Sequence, residues 1–245
     1  MEVHYCVLLY GDYPHLAERV LGSMTDRLRL PNRRITVGMN AVSAATRDYV
    51  QGLQARGLLG ENAVVESKEN IHKYPMMRQL FYRHLPTSCD AVCWFDDDSY
   101  LKPVAYDWEQ RLEVAMQGAE MVGSLYWQRF AGNQHLWVRH QPWYTGKPVE
   151  KGHRALFATG GWWCIWKEIL WRHNWPIPEL DHRGGDMMLG ELCRQQGYRL
   201  RKFNDGVAIN ADARGRESKA KRRGFDSMSI GTKFTPAAAP LRLPM

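Results

Sequence analysis

The sequence predicts an α/β protein with a mixed, mainly parallel sheet flanked by helices. Four short apolar runs, at residues 5–10, 35–39, 63–65 and 91–95, are bounded by turn residues, as is typical of strands buried on both faces. Segments with helical spacing of apolar residues separate these runs. Strands that alternate with helices favour right-handed crossovers within one sheet.

Helices are predicted at residues 15–28, 43–56 and 76–84 in the first half of the chain. In the second half, Gly185 and Asp186 open a further helix with an apolar face, and residues 198–203 form a last strand. Before this helix, residues 124–175 are rich in aromatic side chains. The second half therefore differs in composition from the first.

The 245 residues are enough for one sizeable core. We expect a single compact domain over residues 1–234 and a flexible tail over 235–245, which is rich in Ala and Pro. Within the domain, residues 1–100 would bind the nucleotide and 101–210 the acceptor. Residues 211–234 would form a basic segment that closes over the donor.

Composition excludes several classes of protein. No apolar run approaches the roughly 18 residues that span a bilayer, and the N-terminus lacks the features of a signal peptide. The 5 cysteines are an odd number without paired spacing, which fits a reducing compartment. Cys89 and Cys93 could be half of a zinc site, but buried thiols explain them more simply. A cytoplasmic protein is expected, in the host cytoplasm if it is viral, with no membrane partner.

Positive charge is concentrated near the end of the chain. The net charge is +7, and residues 201–223 contain eight basic and three acidic side chains. An excess of this kind predicts an anionic partner without identifying it, because nucleotide-sugars, nucleic acids and anionic membranes all qualify.

Asp96, Asp97 and Asp98 directly follow the fourth predicted strand. Ligands of open α/β sheets bind at the carboxyl ends of the strands. Three adjacent carboxylates repel one another unless a positive group lies among them, and Mg²⁺ or Mn²⁺ would serve. An acidic turn or a helix cap is the alternative interpretation. The buried strand before the cluster favours a metal site.

The sequence has no glycine-rich phosphate loop of either common type. Phosphates would then require a metal and basic side chains, for which Lys73, Arg78 and the residues 214–223 are candidates. Asp186, at the start of a helix, could act as a general base toward an acceptor hydroxyl. It could equally cap its own helix, and taken alone the cap is the simpler explanation.

Together, these motifs resemble the GT-A glycosyltransferases, particularly the family-2-like group, over approximately residues 5–210. The matching stretches are Phe95 to Asp98 for the D-x-D motif and residues 159–163 for a glycine-containing acceptor loop. The (E/D)-D motif corresponds to Gly185 and Asp186, on a helix that runs on into Arg194, Gly197 and Tyr198.

The resemblance implies roles for individual residues on the donor side. Asp98 would ligate the metal, Asp96 would contact ribose or sugar and share the metal, and Asp97 would be structural within the cluster. Asp212 could supply a further metal ligand in place of a late histidine. Asn40 stands where the family usually has Asp. The residues that would contact the donor are Tyr10, Gly11, Asp12, Asn40, Asn70, Lys73, Arg78, Asp96, Asp97, Arg214 and Arg216.

On the acceptor side, Asp186 matches the catalytic base of inverting members, although Gly185 replaces the preceding acid. Gly160, Gly161, Trp162 and Trp163 would line the acceptor site. The two tryptophans could stack on a sugar or a base, while plain core packing is the general expectation for tryptophans of this stretch.

The implied reaction is transfer of a sugar from a nucleotide-sugar, expected to be a UDP-sugar, with Mn²⁺ or Mg²⁺. Size and charge also resemble phage DNA-modifying glycosyltransferases, so a hydroxymethylated base in DNA is one acceptor; a glycan or a small molecule is another. A non-catalytic nucleic-acid-binding protein would explain the basic segment but not the aspartates. A nucleotidyltransferase would need a phosphate loop, which Tyr10, Gly11 and Asp12 resemble poorly.

Overall fold

A computed structural model of the protein describes residues 1–28, 31, 34–60, 62–103, 107–209 and 211. Its main element is a seven-stranded sheet with the order β3-β2-β1-β4-β7-β6-β8, and a short β5-β9 ribbon lies beside it. The strands are β1 (Val3–Tyr10), β2 (Ile35–Asn40), β3 (Val64–Ser67), β4 (Ala91–Asp96), β5 (Tyr100–Leu101), β6 (Met121–Arg129), β7 (Arg154–Trp166), β8 (Leu200–Lys202) and β9 (Val207–Ala208).

Seven α-helices connect the strands in this part of the chain. They are α1 (Pro14–Gly22), α2 (Ala44–Ala55), α3 (Lys73–Gln79), α4 (Trp108–Met116), α5 (Gln134–Arg139), α6 (Lys167–Arg172) and α7 (Gly185–Gln196). The predicted first helix ends at Gly22 and continues as a π-helical segment, Ser23–Arg27. The π-helical segment Leu80–His84 likewise extends α3.

The predicted parallel half of the sheet is confirmed. Strands β3, β2, β1 and β4 are parallel neighbours. Almost all side chains of β1, β2 and β4 are buried, because helices cover both faces of the sheet. The register pairs Tyr10 with Asn40 and Leu8 with Asp96. The polar residues that end these strands therefore meet at one edge of the sheet, where ligands of such folds bind.

Strand β7 is the principal element that sequence patterns did not predict. It runs antiparallel to both β4 and β6 and spans 13 residues. The expected acceptor loop at residues 159–163 lies inside this strand, so its assignment as a loop is wrong. Its pairing with β6 is nevertheless interrupted there: Ala158 pairs with Leu125, and Trp163 pairs with Gly123. The two glycines, Gly160 and Gly161, therefore occupy a bulge in a strand.

Trp162 and Trp163 are completely buried, with exposed fractions of 0%. Trp162 packs against Phe95 and Phe203, and Trp163 stacks on Trp94. A ring with no accessible face cannot stack on an acceptor, so the predicted acceptor role of both tryptophans is wrong. They form the aromatic core between the sheet and its helices.

The rest of the second half differs modestly from the predictions. The last predicted strand shortens to β8, which pairs in parallel with β6 at the sheet edge. All five cysteines are free and buried, in agreement with the absence of paired spacing. No helix in the described ranges is long and apolar enough to span a membrane. The basic segment 212–234 and the tail 235–245 lie outside the described residues.

Helix α7 is held to the preceding chain by a buried carboxylate. Glu191 has an exposed fraction of 0%, and its oxygens accept hydrogen bonds from Arg194 at 2.7–3.0 Å and from Gln195 at 2.9 Å. The His153 ring nitrogen lies 3.2 Å from the same carboxylate. Arg194 also donates to the Pro148 carbonyl. Glu191 thus joins α7 to the segment that leads into β7.

Replacing Glu191 with Ala should lower the free energy of unfolding by about 3 kcal/mol, because Arg194, His153 and the buried Gln195 lose the carboxylate that they share. Urea unfolding would measure the change. Glu168→Ala is the control: Glu168 lies 3.7 Å from Arg172 in an exposed pair and should contribute less than about 1 kcal/mol. Equal destabilisation by the two substitutions would contradict the structural role of Glu191.

Candidate active site

The aspartate cluster begins at the last residue of β4. The Asp96 carboxylate accepts hydrogen bonds from Lys73 Nζ and from Trp94 Nε1, both at 2.9 Å. Asp97 Oδ2 accepts from the Tyr10 backbone N–H at 3.3 Å and so ties the cluster to the end of β1. Each of these two carboxylates is therefore engaged by groups of the protein itself.

Lys73 is the positive group among these carboxylates. Its side chain is 11% exposed, and its ammonium donates to Asp96 and, at 2.8 Å, to the Gly160 carbonyl in the β7 bulge. Burial disfavours the charged ammonium, but the nearby Asp96 and Asp186 outweigh it and raise the pKa of Lys73 above its ordinary value. Lys73 is a cation at neutral pH.

Asp186 lies in the first turn of α7. Its backbone N–H donates to the Tyr74 hydroxyl at 3.1 Å, and the preceding Gly185 packs so closely on the Tyr74 ring that a Cβ there would collide with it. Within the described part of the chain, Asp186 Oδ1 is buried and has no hydrogen-bond partner. A buried acceptor without a donor leaves a lone pair that a ligand could use.

The protonation of Asp186 follows from the same surroundings. Burial raises the pKa of its carboxyl above the ordinary value of 3.8, while the Lys73 charge and the Tyr74 hydroxyl act in the opposite direction. A carboxylate with a raised pKa is a stronger base than an exposed aspartate and suits proton abstraction near neutral pH.

Gly160 is where the three elements converge. A Cβ on this residue would lie 2.8 Å from Lys73 Nζ and would collide with Asp186 Oδ2. The ammonium and the carboxylate therefore approach the β7 backbone in space that only glycine leaves open. Gly160, which was predicted to line the acceptor site, thus lies beside Asp186 through its backbone in a strand rather than in a loop.

A cleft of about 450 Å³ opens beside these residues. Its lining includes Lys73, Asp96, Asp186 and His182, together with Gln128 of β6 and Phe157 of β7. The His182 and His72 rings are 5.9 Å apart. Burial and the nearby His72 lower the pKa of His182, so its imidazole is neutral at pH 7 and can donate or accept a hydrogen bond.

A second polar group is built at the ends of β1 and β2. Asn40 Nδ2 donates to Asn70 Oδ1 at 3.1 Å, and Asn70 Nδ2 donates to the Tyr10 hydroxyl at 3.4 Å. Gly11 follows with φ +71°, and the adjacent Asp12 is exposed. The structure thus brings together five residues that were predicted to bind the donor. Asn40 is 2% exposed and orients Asn70.

Arg78 does not join this group. Its guanidinium donates to Asn174 Oδ1 at 3.1 Å and to the Pro176 carbonyl, and it stacks over the Tyr82 ring at 4.7 Å. It borders a separate surface depression with Pro178 and Pro75 rather than the cleft. The predicted donor-binding role of Arg78 is therefore wrong, and the side chain instead holds the turn before α7 against α3.

Of the predicted metal ligands, Asp96 is engaged by the protein itself. One of its oxygens pairs with Lys73 and the other accepts from Trp94 Nε1, and its share in a metal site stays a prediction. Among the described residues no group of three or more His, Cys, Asp or Glu side chains could hold a metal. Asp98 is 7% exposed. Asp212, Arg214 and Arg216 lie outside the described residues. Mg²⁺ often binds one or two carboxylates together with substrate phosphates, and Asp98 fits that donor set.

Several lining residues were not predicted. His182 lies four residues before Asp186 and Tyr74 follows Lys73, so nearness in sequence to predicted residues could have suggested both. Gln128 and Phe157 carry no local signal, because the pairing of β6 with β7 alone brings them to the cleft.

Comparison with known proteins gives relatives by structure only. No protein-family model matches the sequence, and no curated protein is significantly similar to it. The mannosyltransferase PcManGT from Pyrobaculum calidifontis, solved with GDP-Man and Mn²⁺, is similar with a TM-score of 0.57 at 17% identity, over 87% of this chain and 58% of that one.

TarS from S. aureus gives a TM-score of 0.53 at 12% identity, over 84% of this chain and 35% of that one. A TarS 1–349 structure in complex with UDP gives 0.50 at 13% identity, over 82% and 58%. The chain thus covers 58% or less of the length of each of these three neighbours. At these identities the likeness concerns architecture: the chain has the GT-A fold of nucleotide-sugar glycosyltransferases.

Proposed function

We propose that the protein transfers a sugar from a nucleoside-diphosphate sugar to an acceptor hydroxyl, with Asp186 as the general base. The observation that carries this proposal is the buried Asp186 Oδ1, which has no hydrogen-bond partner among the described residues and borders a cleft at the carboxyl end of β4. A GT-A fold supports it, because the donor sites of such folds lie at that sheet edge.

The proposed reaction is a single displacement that inverts the anomeric carbon. The acceptor oxygen forms a bond to that carbon while the bond to the diphosphate oxygen breaks, and its electron pair leaves with the nucleoside diphosphate. Asp186 takes the proton of the acceptor hydroxyl. Its raised pKa favours this transfer, and the neutral His182 beside it can hold a sugar hydroxyl by a hydrogen bond.

The nucleoside would bind at the ends of β1 and β2. Tyr10 and Asn70 present an aromatic ring and an amide there, and the exposed Asp12 could accept hydrogen bonds from ribose. Asn40 would act through Asn70, since its amide already donates to Asn70 and its oxygen accepts from the Ile71 backbone N–H. We expect a UDP-sugar as donor, and GDP-sugars are the first alternative because one neighbour binds GDP-Man.

The diphosphate would lie between the nucleoside site and Asp186. We infer that Asp98 holds a divalent cation there, with Mn²⁺ and Mg²⁺ as candidates. When bound, such an ion neutralises the charge that grows on the departing diphosphate. Arg214 and Arg216, predicted to assist, remain proposals from the sequence. Lys73 is a positioning residue in this scheme, because its ammonium keeps Asp96 and the β7 backbone in place beside Asp186.

For the acceptor we propose the hydroxyl of a modified DNA base, with glycans and small molecules as alternatives.

The first test of the proposed reaction is product analysis with panels of UDP- and GDP-sugars. Free nucleoside diphosphate indicates glycosyl transfer, and pyrophosphate indicates nucleotidyl transfer. DNA binding without either product would favour the non-catalytic interpretation.

Asp186→Asn should preserve donor binding and reduce sugar transfer by at least about 10²-fold, because the amide cannot accept the proton. The measurement is release of nucleoside diphosphate, with donor affinity determined in parallel by calorimetry. Asp48→Asn, at an exposed position of α2, is the matched control and should transfer normally. Full transfer by Asp186→Asn would return Asp186 to a helix-capping role.

Asp98→Asn should remove the stimulation of transfer by Mn²⁺ or Mg²⁺ while the variant melts near the wild-type temperature. The amide keeps the size of the side chain but loses the charge that a hard cation requires. Turnover would be measured across a titration of each metal, and after EDTA treatment. Wild-type turnover in the presence of EDTA, or an unchanged metal response in the variant, would contradict the assignment.

A further inference from the structure

The outer halves of β6 and β7 form a two-stranded ribbon that projects from the sheet. Residues 125–129 of β6 pair with residues 154–158 of β7. On the opposite side of β6, β8 pairs only as far as Gly123, and no strand in the described part of the chain pairs with residues 125–129 there. We refer to residues 125–129 and 154–158 as the ribbon.

Two aromatic side chains of the ribbon face solvent. Tyr126 is 52% exposed and Trp127 is 58% exposed. Trp108, Trp162 and Trp163, in contrast, are fully buried in the core. Large aromatic rings at the surface remain in contact with water after folding. When such rings adjoin a cleft, they mark a surface that binds a partner.

All charged side chains of the ribbon are positive. The Arg154 guanidinium lies 5.6 Å from the centre of the Trp127 ring, and Arg129 is directly opposite Arg154 in the pairing. Two like charges at opposite positions of a strand pair repel one another. No Asp or Glu occurs among the ten ribbon residues. An anionic partner would relieve this repulsion.

The ribbon is continuous with the cleft of the candidate active site. Gln128 and Phe157 belong to the ribbon and also line the cleft beside Asp186. Tyr126 pairs directly with Phe157, and directly opposite residues of antiparallel strands share a face. The face of the ribbon that carries Tyr126 therefore continues into the cleft, whereas Trp127, Arg129 and Arg154 alternate onto its other face.

We propose that the ribbon binds a single-stranded segment of nucleic acid and leads its base into the cleft as the acceptor. A base would stack on Trp127 and phosphates would pair with Arg129 and Arg154 on the same face. The strand would then cross the free edge of residues 125–129 to Tyr126, on the face that continues into the cleft. Proteins that bind single strands combine aromatic platforms and basic side chains in this way. A hydroxyl-rich neutral glycan would instead call for carboxylate and amide partners, of which the ribbon offers only Gln128. The acceptor role, unlike the binding surface, rests on the proposed glycosyl transfer.

The test is binding of a fluorescently labelled single-stranded oligonucleotide to the full chain, measured by anisotropy at several salt concentrations. Trp127→Ala should weaken binding about 5-fold or more, and Trp127→Phe should retain most of it, because a stacking face remains. Arg154→Ala should reduce the slope of log affinity against log salt by about 0.7, the value for one phosphate contact on a single strand.

Two variants control for surface position. Val114→Ala removes an exposed apolar side chain of α4, which is 57% exposed, and Arg172→Ala removes an exposed arginine of α6. Both should bind the oligonucleotide like the wild type. Equal weakening by the control and ribbon variants would overturn the proposal, as would heparin, a polyanion without bases, binding with the same dependence on Trp127.

Failure of this proposal can be told apart from failure of the proposed function. Release of nucleoside diphosphate from the nucleotide-sugar without any nucleic acid reports on the donor site alone, and Trp127→Ala should leave it unchanged. Release without oligonucleotide binding would overturn the ribbon proposal only. If the oligonucleotide binds in a ribbon-dependent way but no donor yields nucleoside diphosphate, the binding surface is supported and the proposed enzymatic function is contradicted. Trp127-dependent binding of a neutral oligosaccharide in place of the oligonucleotide would overturn the nucleic-acid acceptor.

Discussion

The ion pair between the buried Lys73 ammonium and Asp96 is the interaction on which the rest of the site depends. A charge taken out of water is costly unless it is paired and hydrogen-bonded, and Lys73 meets that requirement with Asp96 and the Gly160 carbonyl. These partners come from β4 and from the β7 bulge, while Lys73 begins α3. One ammonium thus joins three elements that are distant in sequence, and it places positive charge near Asp186 at the start of α7.

The sheet supplies the frame for this pairing. Parallel strands β1, β2 and β4 end at one edge with Tyr10, Asn40 and Asp96, and the antiparallel β7 returns past the same edge. The aromatic core fixes β7 against β4, because Trp163 stacks on Trp94 and Trp162 packs on Phe95. Rigid packing of this kind holds the Gly160 backbone where Lys73 and Asp186 need it.

Sequence patterns predict the first half of the fold well and the site in part. Buried strands such as β1 and β4 have apolar runs that local periodicity detects, and the start of α7 at Gly185 and Asp186 follows from its apolar face. Strand β7 escaped prediction because its mixture of Ala, Gly and Trp has no period of two and contains a bulge. The diglycine therefore suggested a loop, and the neighbouring tryptophans suggested a binding surface, whereas both lie in a strand.

Contacts between distant segments could not be read from the sequence at all. The pairing of Lys73 with Asp96 depends on where α3 starts relative to β4, and Arg78 is drawn to Asn174 and Pro176 by a turn nearly a hundred residues later in the chain. The cleft residues Gln128 and Phe157 meet only through strand register. Local pattern identifies the residue types that can do the chemistry, and tertiary packing decides which of them share a site.

The central claim is that Lys73 and Gly160 position Asp186 as the proposed catalytic base. Its most direct measurement is the turnover of Gly160→Ala. The added methyl group would overlap Lys73 Nζ and the Asp186 carboxylate. We predict a loss of nucleoside diphosphate release of at least about 10-fold, as expected when a catalytic base is displaced from its productive geometry. Gly52→Ala, at a helical glycine with nothing within 4 Å of the new methyl group, should transfer normally. A folded Gly160→Ala variant with wild-type turnover would contradict the account.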